Sequence, residues 1–298
     1  MKLLTLCFPT FGKDNELHLS SRGQVVLAPD EFHRRLLELG WEVDVVALGL
    51  ETRRPLFRSQ LPLKRYRDVR LDDYDVFWHM FRDPTQPEVL AMLDALSPDY
   101  GGKPVINRAD RLANHCKDAY LPVFERRGVG ASIVDVQARD HAWINVGSEH
   151  VNADRTLVNS NACNNNRGDY PQRGSGRVVT RYLDNAREGR RSIVRFGYAF
   201  GQGFAGFQFY CPDSVLCFKT GAAKLWEPYA VPEHLRPPIA KALQSSGCDV
   251  CHVEAIPFGD RIYVIDVNPY PTADGKTLTS ITRIACDALV AFCGAAVR

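Results

Sequence analysis

Two runs toward the C-terminal end carry the side chains best suited to chemistry. They are Gly247-Cys-Asp-Val-Cys-His-Val-Glu254 and, after the turn residues Gly259-Asp260, Ile262-Tyr-Val-Ile-Asp-Val-Asn268-Pro269. Their composition and the intervening turn fit the two strands of an antiparallel hairpin. Side chains two apart on a strand share a face, so Asp266 and Asn268 point the same way and Glu254 on the neighbouring strand can join them. Two carboxylates and an amide supply oxygen, the donor that Mg²⁺ selects, and leave positions for waters or phosphate oxygens. The plain alternative is a hairpin with an acidic solvent face that leaves its sheet through Asn268-Pro269. A further strand over 192–198 alternates so that Ile193, Arg195 and Gly197 share one face and Val194, Phe196 and Tyr198 the other. Arg195 is the cation in its middle, beside a glycine that leaves room for a ligand. It suits a phosphate, or else a structural carboxylate partner such as Asp184 or Glu188.

A scaffold must hold these strands. Residues 2–8 form a short apolar run closed by Pro9 and Gly12, a buried strand followed by a loop. From Pro29 the spacing of Phe32, Leu36, Leu37 and Leu39 is helical, Gly40 supplies the stop, and 43–48 reads as the next strand. Strands at 74–81 and 104–106 with a helix at 87–96 complete a small α/β sheet, parallel by its alternation. Leu112, Cys116, Ala119, Val123 and Phe124 predict a helix that Pro122 kinks or ends. Residues 132–184 mix strand and loop. Within them the polar stretch 159–177, rich in Asn, Gly and Arg, is expected to be a mobile lid. Strands at 178–183, 192–198 and 215–218, with a Gly/Phe-rich turn region at 201–209, read as antiparallel β. Helices are expected at 232–246 and 277–292, the latter with Ile281, Ile284, Ala285, Ala288, Leu289 and Phe292 as its core face.

At Gly247–Glu254 and Asp266-Val-Asn-Pro-Tyr-Pro271 the chain resembles the ATP-grasp superfamily, especially the ribosomal-protein glutamate ligases and glutathione synthetases. Members carry a G-x-D-x-x-x-[VI]-[DE] strand, a turn, and an [ED]-[VI]-N-x-x-P strand. The resemblance implies an α/β and α+β, ATP-grasp-like fold. A small N-terminal α/β domain over 1–107 would precede two α+β lobes in an ATP-grasp-like domain over 108–298, with a lid subdomain at about 130–184. It implies that Glu254, Asp266 and Asn268 hold Mg²⁺ against ATP phosphates. More loosely, Pro104–Asn107 resembles the start of the ATP-binding half and Trp143–His150 a family strand. Val178–Asp184 resembles the hinge whose backbone meets adenine, at Arg181, Tyr182, Leu183 and Asp184. Arg195 and Lys219 fall where relatives place cations near phosphate or substrate.

The implied activity is an ATP- and Mg-dependent ligase that joins a carboxylate to an amine or similar nucleophile through an acylphosphate. The implied partners are a small-molecule carboxylate and amine, and a homodimer is compatible with the sequence. Three departures bear on this. The usual Lys or Arg is missing from the strand that ends at Asn145, and the second usual Lys is replaced by Ile193 and Val194; Arg181 also stands where Glu is common. A polyphosphate needs several cations. Either Arg195, Lys219, Lys224, Arg167 and Arg173 take over, or the chain is a degenerate member that binds a ligand or partner without ATP turnover. A plain metal-binding or structural protein is the third class.

Composition narrows the rest. A chain of 298 residues exceeds what one hydrophobic core usually supports. Its 45% hydrophobic and 24% charged residues exclude the disordered and fibrous classes. A net charge of +2 gives no general attraction to nucleic acid, and no run is long enough to span a membrane. Nine cysteines in mostly apolar company fit reduced core thiols and a cytoplasmic protein. Cys248-Asp-Val-Cys-His252 matches a haem-attachment spacing but lies inside an expected core strand, and no second cysteine pair completes a zinc site. Gly201-Gln-Gly-Phe-Ala-Gly206 matches G-x-G-x-x-G without the strand-to-helix context that a dinucleotide site needs. His141, His150 and His252 read as structural rather than as bases.

Overall fold

The computed structural model describes residues 1–8, 28–47, 63–64, 68–81, 95, 100–112, 117–130, 133–138, 150–151, 156–160, 176–181, 183, 185–212, 225–269 and 276–296. Its first sheet contains β1 (Lys2–Phe8), β2 (Glu42–Ala47), β3 (Leu63–Lys64), β4 (Val76–Phe81) and β5 (Val105–Ile106), ordered β3-β2-β1-β4-β5 with every pairing parallel. Burial of both faces explains why β1 is a continuous apolar run: Leu3, Leu4, Thr5 and Leu6 are all fully buried. Helix α1 (Ala28–Glu38) buries His33 and Leu36, whereas Leu37 and Leu39, expected to help form its apolar stripe, are exposed. The helix expected at 87–96 lies almost wholly outside the described residues.

A second sheet follows, ordered β6-β9-β8-β7, from β6 (Ile133–Ala138), β7 (His150–Val151), β8 (Thr156–Ser160) and β9 (Gly176–Arg181). Its pairings are antiparallel. The stretch 159–177 expected as a lid keeps only its ends in β8 and β9; residues 161–175 lie outside the described residues.

The third sheet positions the candidate site. It runs β12-β11-β10-β13-β14, all antiparallel, from β10 (Arg190–Ala199), β11 (Gln202–Pro212), β12 (Leu225–Ala230), β13 (Val250–Phe258) and β14 (Arg261–Asn268). One expectation is corrected here. Residues 201–209 are not a turn region but, from Gln202, the body of a long strand. Its glycines permit close backbone approach: a Cβ on Gly206 would fall 2.0 Å from the Arg195 carbonyl oxygen, and the pairing with β10 shifts register between Phe196 and Tyr198. The strand expected at 215–218 lies outside the described residues.

Helices α2 (Ala109–Leu112), α3 (Lys117–Arg126), α4 (Arg236–Ser245) and α5 (Lys276–Ala296) complete the chain. Helix α3 runs through Pro122 to Arg126, so the proline does not end it. The two faces of β1 feed two cores. Leu4 and Leu6 join Phe77, Phe124, Phe196, Val253 and Leu243, so residues of the first sheet, α3, α4 and the third sheet share one core. Leu3 joins Trp78, Leu36, Ala199, Val250 and Leu289, under α1 and α5. Fully burying each Leu or Phe is worth about 1.5–3 kcal/mol, so the first and third sheets are held by continuous apolar packing. On α5 the expected core residues Ile281, Ala285, Ala288 and Leu289 are buried, but Phe292 is exposed and stacks on Phe200 with ring centroids 4.1 Å apart. No described helix is long and apolar enough to cross a membrane.

Candidate active site

Arg195, Glu254 and Asp266 lie opposite one another on three adjacent strands. The register pairs Arg195 of β10 with Glu254 of β13, and Glu254 with Asp266 of β14. Directly opposed residues of an antiparallel pair share a face, so the three form one row across the sheet. Two residues along, Gly197, His252 and Asn268 form the next row. The hairpin is not uniform: its register shifts after Glu254, so that Ile265 faces no residue of β13. Such a bulge twists the strand and re-aims the side chains beside it.

Charge and burial suit a cation. Arg195 Nε lies 2.9 Å from Glu254 Oε1, and the side chains are 29% and 17% exposed, so the pair is partly screened from water yet reachable. The N–H does not point along that contact, which is therefore an ion pair without a linear hydrogen bond. The guanidinium also sits over the Phe209 ring, 5.3 Å from its centroid. This settles one alternative: the described carboxylate beside Arg195 is Glu254, while Glu188 is exposed in the turn before β10 and Asp184 lies outside the described residues. The Asn268 amide nitrogen donates to Asp266 Oδ2 at 3.4 Å, which turns its nitrogen toward the carboxylate. Among the described residues no three His, Cys, Asp or Glu side chains cluster as a metal set. A cation here would rest on the two carboxylates and the Asn268 amide, an all-oxygen set that fits Mg²⁺ completed by phosphate oxygens and water.

The glycine beside Arg195 does not leave room for a ligand. A Cβ on Gly197 would meet the Ile281 carbonyl oxygen at 2.8 Å and the Ala285 methyl at 3.4 Å, so α5 fills that space. The open part of the face lies the other way, along Phe207, Phe209 and Pro228 to Trp226, which packs edge-on against Phe207 at 5.0 Å and is 51% exposed.

Two groups of residues outside the expected ligand set hold this site in place. The first is a joint around Asn107, fully buried with φ +51° at the end of β5. Its amide nitrogen donates to the carbonyls of Val250 at 2.7 Å and Pro269 at 2.8 Å, and its oxygen accepts from the backbone of Asp249 and Val250. Asp249, the motif aspartate, accepts from the Asn107 N–H and from Arg111 of α2 at 3.0 Å. Burial pushes the Asp249 carboxyl up, opposed by the Arg111 charge. The second is Tyr120 of α3, whose hydroxyl donates to Asp266 Oδ1 at 3.2 Å and accepts the Val267 N–H at 3.4 Å. An asparagine, a residue type that tolerates positive φ, placed just before a helix, and a tyrosine among apolar helix positions were the available signals.

The remaining expected residues separate. Arg181 ends β9 opposite Thr156, and Leu183 is half-buried just beyond it. Tyr182, Lys219, Lys224, Arg167, Arg173, Asn145 and His141 lie outside the described residues. His252 is buried, and burial followed by the Arg195 charge lowers its pKa to about 3, so it is neutral. Cys248 and Cys251 are buried thiols not joined in a disulfide, and burial pushes the Cys251 thiol up.

No family model and no curated protein sequence matches the chain. Solved structures do. A macrocyclase from Microcystis aeruginosa bound to its precursor peptide is 12% identical with a TM-score of 0.58, covering 97% of this chain and 99% of that one. An ATP-grasp ligase from Chryseobacterium gregarium, in complex with ADP and a leader and core peptide, is 13% identical at 0.53, covering 98% and 97%. The ATP-grasp ligase PsnB with minimal precursor, Mg and ADP is 14% identical at 0.52, covering 97% and 96%. These likenesses run nearly end to end in both partners, and with the parallel first sheet, the intervening antiparallel sheet and the five-stranded sheet that bears the acidic hairpin, they give this chain the ATP-grasp fold.

Proposed function

We propose that the protein is an ATP- and Mg-dependent ligase that joins a carboxylate to an amine or similar nucleophile. The observation that carries this reading is the row Arg195–Glu254–Asp266, a cation beside two carboxylates on the partly open face of an antiparallel sheet. A substrate carboxylate oxygen would attack the γ-phosphorus of ATP, the bond to the β–γ bridging oxygen would break, and ADP would leave. The nucleophile would then add to the acyl carbon of the acylphosphate, the C–O bond would break, phosphate would leave, and the nucleophile's proton would pass to solvent. Such chemistry rests on positioning and charge neutralisation, so the neutral, buried His252 need not serve as a base.

Glu254, Asp266 and Asn268 would hold Mg²⁺, which when bound neutralises the phosphate oxygens. A cation on Glu254 competes with Arg195 for the same carboxylate, so its arrival would free the guanidinium for phosphate or acylphosphate. In this reading residues 1–107 form the first domain and 108–298 clasp the nucleotide. Residues 130–184 serve as the lid, the backbone at 181–184 meets adenine, and Lys219 adds a cation. The peptide complexes among the structural neighbours support a peptide as carrier of the substrate carboxylate. The apolar strip from Phe207 to Trp226 beside Arg195 would give such a chain a floor. A second reading, a degenerate member that binds a ligand or partner without ATP turnover, is favoured by one observation: Ile193 and Val194 are buried and apolar where the resemblance leads one to expect lysine.

Melting the protein with and without Mg·ATP tests the binding, since a ligand of the folded state raises apparent stability by about 2.7 kcal/mol at a hundred times its Kd. The wild type is expected to gain and Glu254→Gln is not. A wild type indifferent to Mg·ATP overturns the ligase reading and leaves the degenerate one, and in a wild type that does gain, ADP release in the presence of candidate carboxylates supports the ligase.

A further inference from the structure

We infer that Tyr120 is a positioning residue for the cation site, fixing by its hydroxyl which oxygen of Asp266 faces the metal. The inference rests on the proposed Mg²⁺ site and assigns to it a residue that lies on no metal-bearing strand. Asp266 is eight per cent exposed and sits beside the bulge at Ile265, where the ladder alone constrains the side chain least. Tyr120 is buried on α3, 146 residues away in sequence, and its hydroxyl makes two contacts there: it donates to Asp266 Oδ1 at 3.2 Å and accepts from Val267 N–H at 3.4 Å. The backbone contact anchors the hydroxyl to β14, and the side-chain contact then sets the carboxylate plane, leaving Oδ2 on the Asn268 side.

The rest of the strand end needs no such help. Asn107 Nδ2 holds the Pro269 carbonyl at 2.8 Å, and Val264 N–H donates to Val129 O at 2.8 Å, so the backbone on both flanks is already tied to the elements around α3. What Tyr120 adds is orientation of a carboxylate. Hydrogen-bond partners behind metal ligands behave in this way generally, and their removal weakens metal binding about ten- to a hundredfold.

The test is Tyr120→Phe, which deletes one oxygen and keeps the ring in the core. Mn²⁺ and then Mg²⁺ are titrated into the wild type and the variant in the presence of ADP, followed by electron paramagnetic resonance and calorimetry, with melting temperature measured in metal-free buffer. The expected result is a metal affinity about tenfold or more weaker in the variant, with an altered Mn²⁺ spectrum. Leu121→Ala, the adjacent buried position on the same helix, serves as the control: it should lower the melting temperature and leave metal affinity within about twofold, on the scale where tenfold is 1.4 kcal/mol. A Tyr120→Phe protein that binds both metals within about twofold of the wild type, by that scale, overturns the inference while leaving the cation site standing. A wild type that binds neither metal with ADP overturns the site itself, and the role of Tyr120 with it.

Discussion

The first and third sheets each have five strands and share their cores, yet they treat polar groups in opposite ways. In the parallel sheet, β1 is closed on both sides, and its buried polar side chains are neutral and paired locally: Thr5 with His33 at 2.8 Å, and on β4 His79 with Tyr100 at 2.9 Å. In the antiparallel sheet one face is sealed by Val194, Phe196, Tyr198 and Val253, while the other keeps Arg195, Glu254 and Asp266 on adjacent strands. A sheet covered on both faces cannot carry charges without a large desolvation cost, whereas one with a partly open face can. In the proposed reading the chemistry therefore falls on the third sheet, with the first as the wall against which it is built.

The sharpest way to break this contrast is to make large changes on each side. Trp78→Ala, in the fully buried part of β4, should cost about 3–5 kcal/mol of stability, read as a lower urea midpoint, and leave the nucleotide affinity of the remaining folded protein unchanged. On the other sheet, Asp266→Ala with Asn268→Ala should abolish the Mg²⁺ dependence of nucleotide binding in a protein that still folds; calorimetry showing unchanged Mg·ATP affinity would contradict the site. Arg195→Met should weaken ATP binding or turnover by about 2–4 kcal/mol, roughly thirtyfold to a thousandfold, with only a small change in melting temperature. A folded variant within about threefold of wild type in both, by the tenfold-per-1.4 kcal/mol scale, would return Arg195 to a purely structural role with Glu254.

A pH series probes the buried neutral groups. Burial lowers the pKa of His33 to about 3 and of His79 to about 4, and His252 also falls to about 3. These folded values lie below the unfolded value near 6.5, so between them the unfolded chain binds protons that the folded chain refuses. Stability is fully present above about pH 6.5 and falls with acid by about 1.4 kcal/mol per histidine for each pH unit. Two of the three lie on or against the first sheet, so His33→Gln should flatten the pH dependence of the melting temperature between pH 6 and 4 more than substitution of an exposed residue of the third sheet such as Trp226. The smallest expected effect is that of Trp226→Ser on the exposed strip, within about 0.5 kcal/mol in stability, with any loss appearing as a raised KM for a peptide substrate.

Much of this was legible in the residues. The run at 2–8 predicts a buried strand because parallel strands are apolar on both faces, and Gly259-Asp260 between two β-rich runs predicts the β13–β14 hairpin. The alternation of Arg195 with Phe196 assigned that arginine to the opposite face from the core. What misled was local: glycines at 201–206 suggest a turn when read singly, but they lie where two strand backbones approach, a fact that only the partner strand supplies. Gly197 likewise suggested room for a ligand and instead admits α5.

Pattern, turn chemistry and residue type determined the hairpin, the alternating faces and the oxygen donors, because strand periodicity and donor chemistry are properties of a few neighbouring residues. Only the tertiary structure decided that Glu254 is the carboxylate beside Arg195, that Asn107 joins the end of the first sheet to both acidic strands, and that Tyr120 reaches Asp266. Each of those contacts spans between 59 and 162 positions of chain, and no local spacing encodes which distant surfaces the burial of apolar faces will bring together.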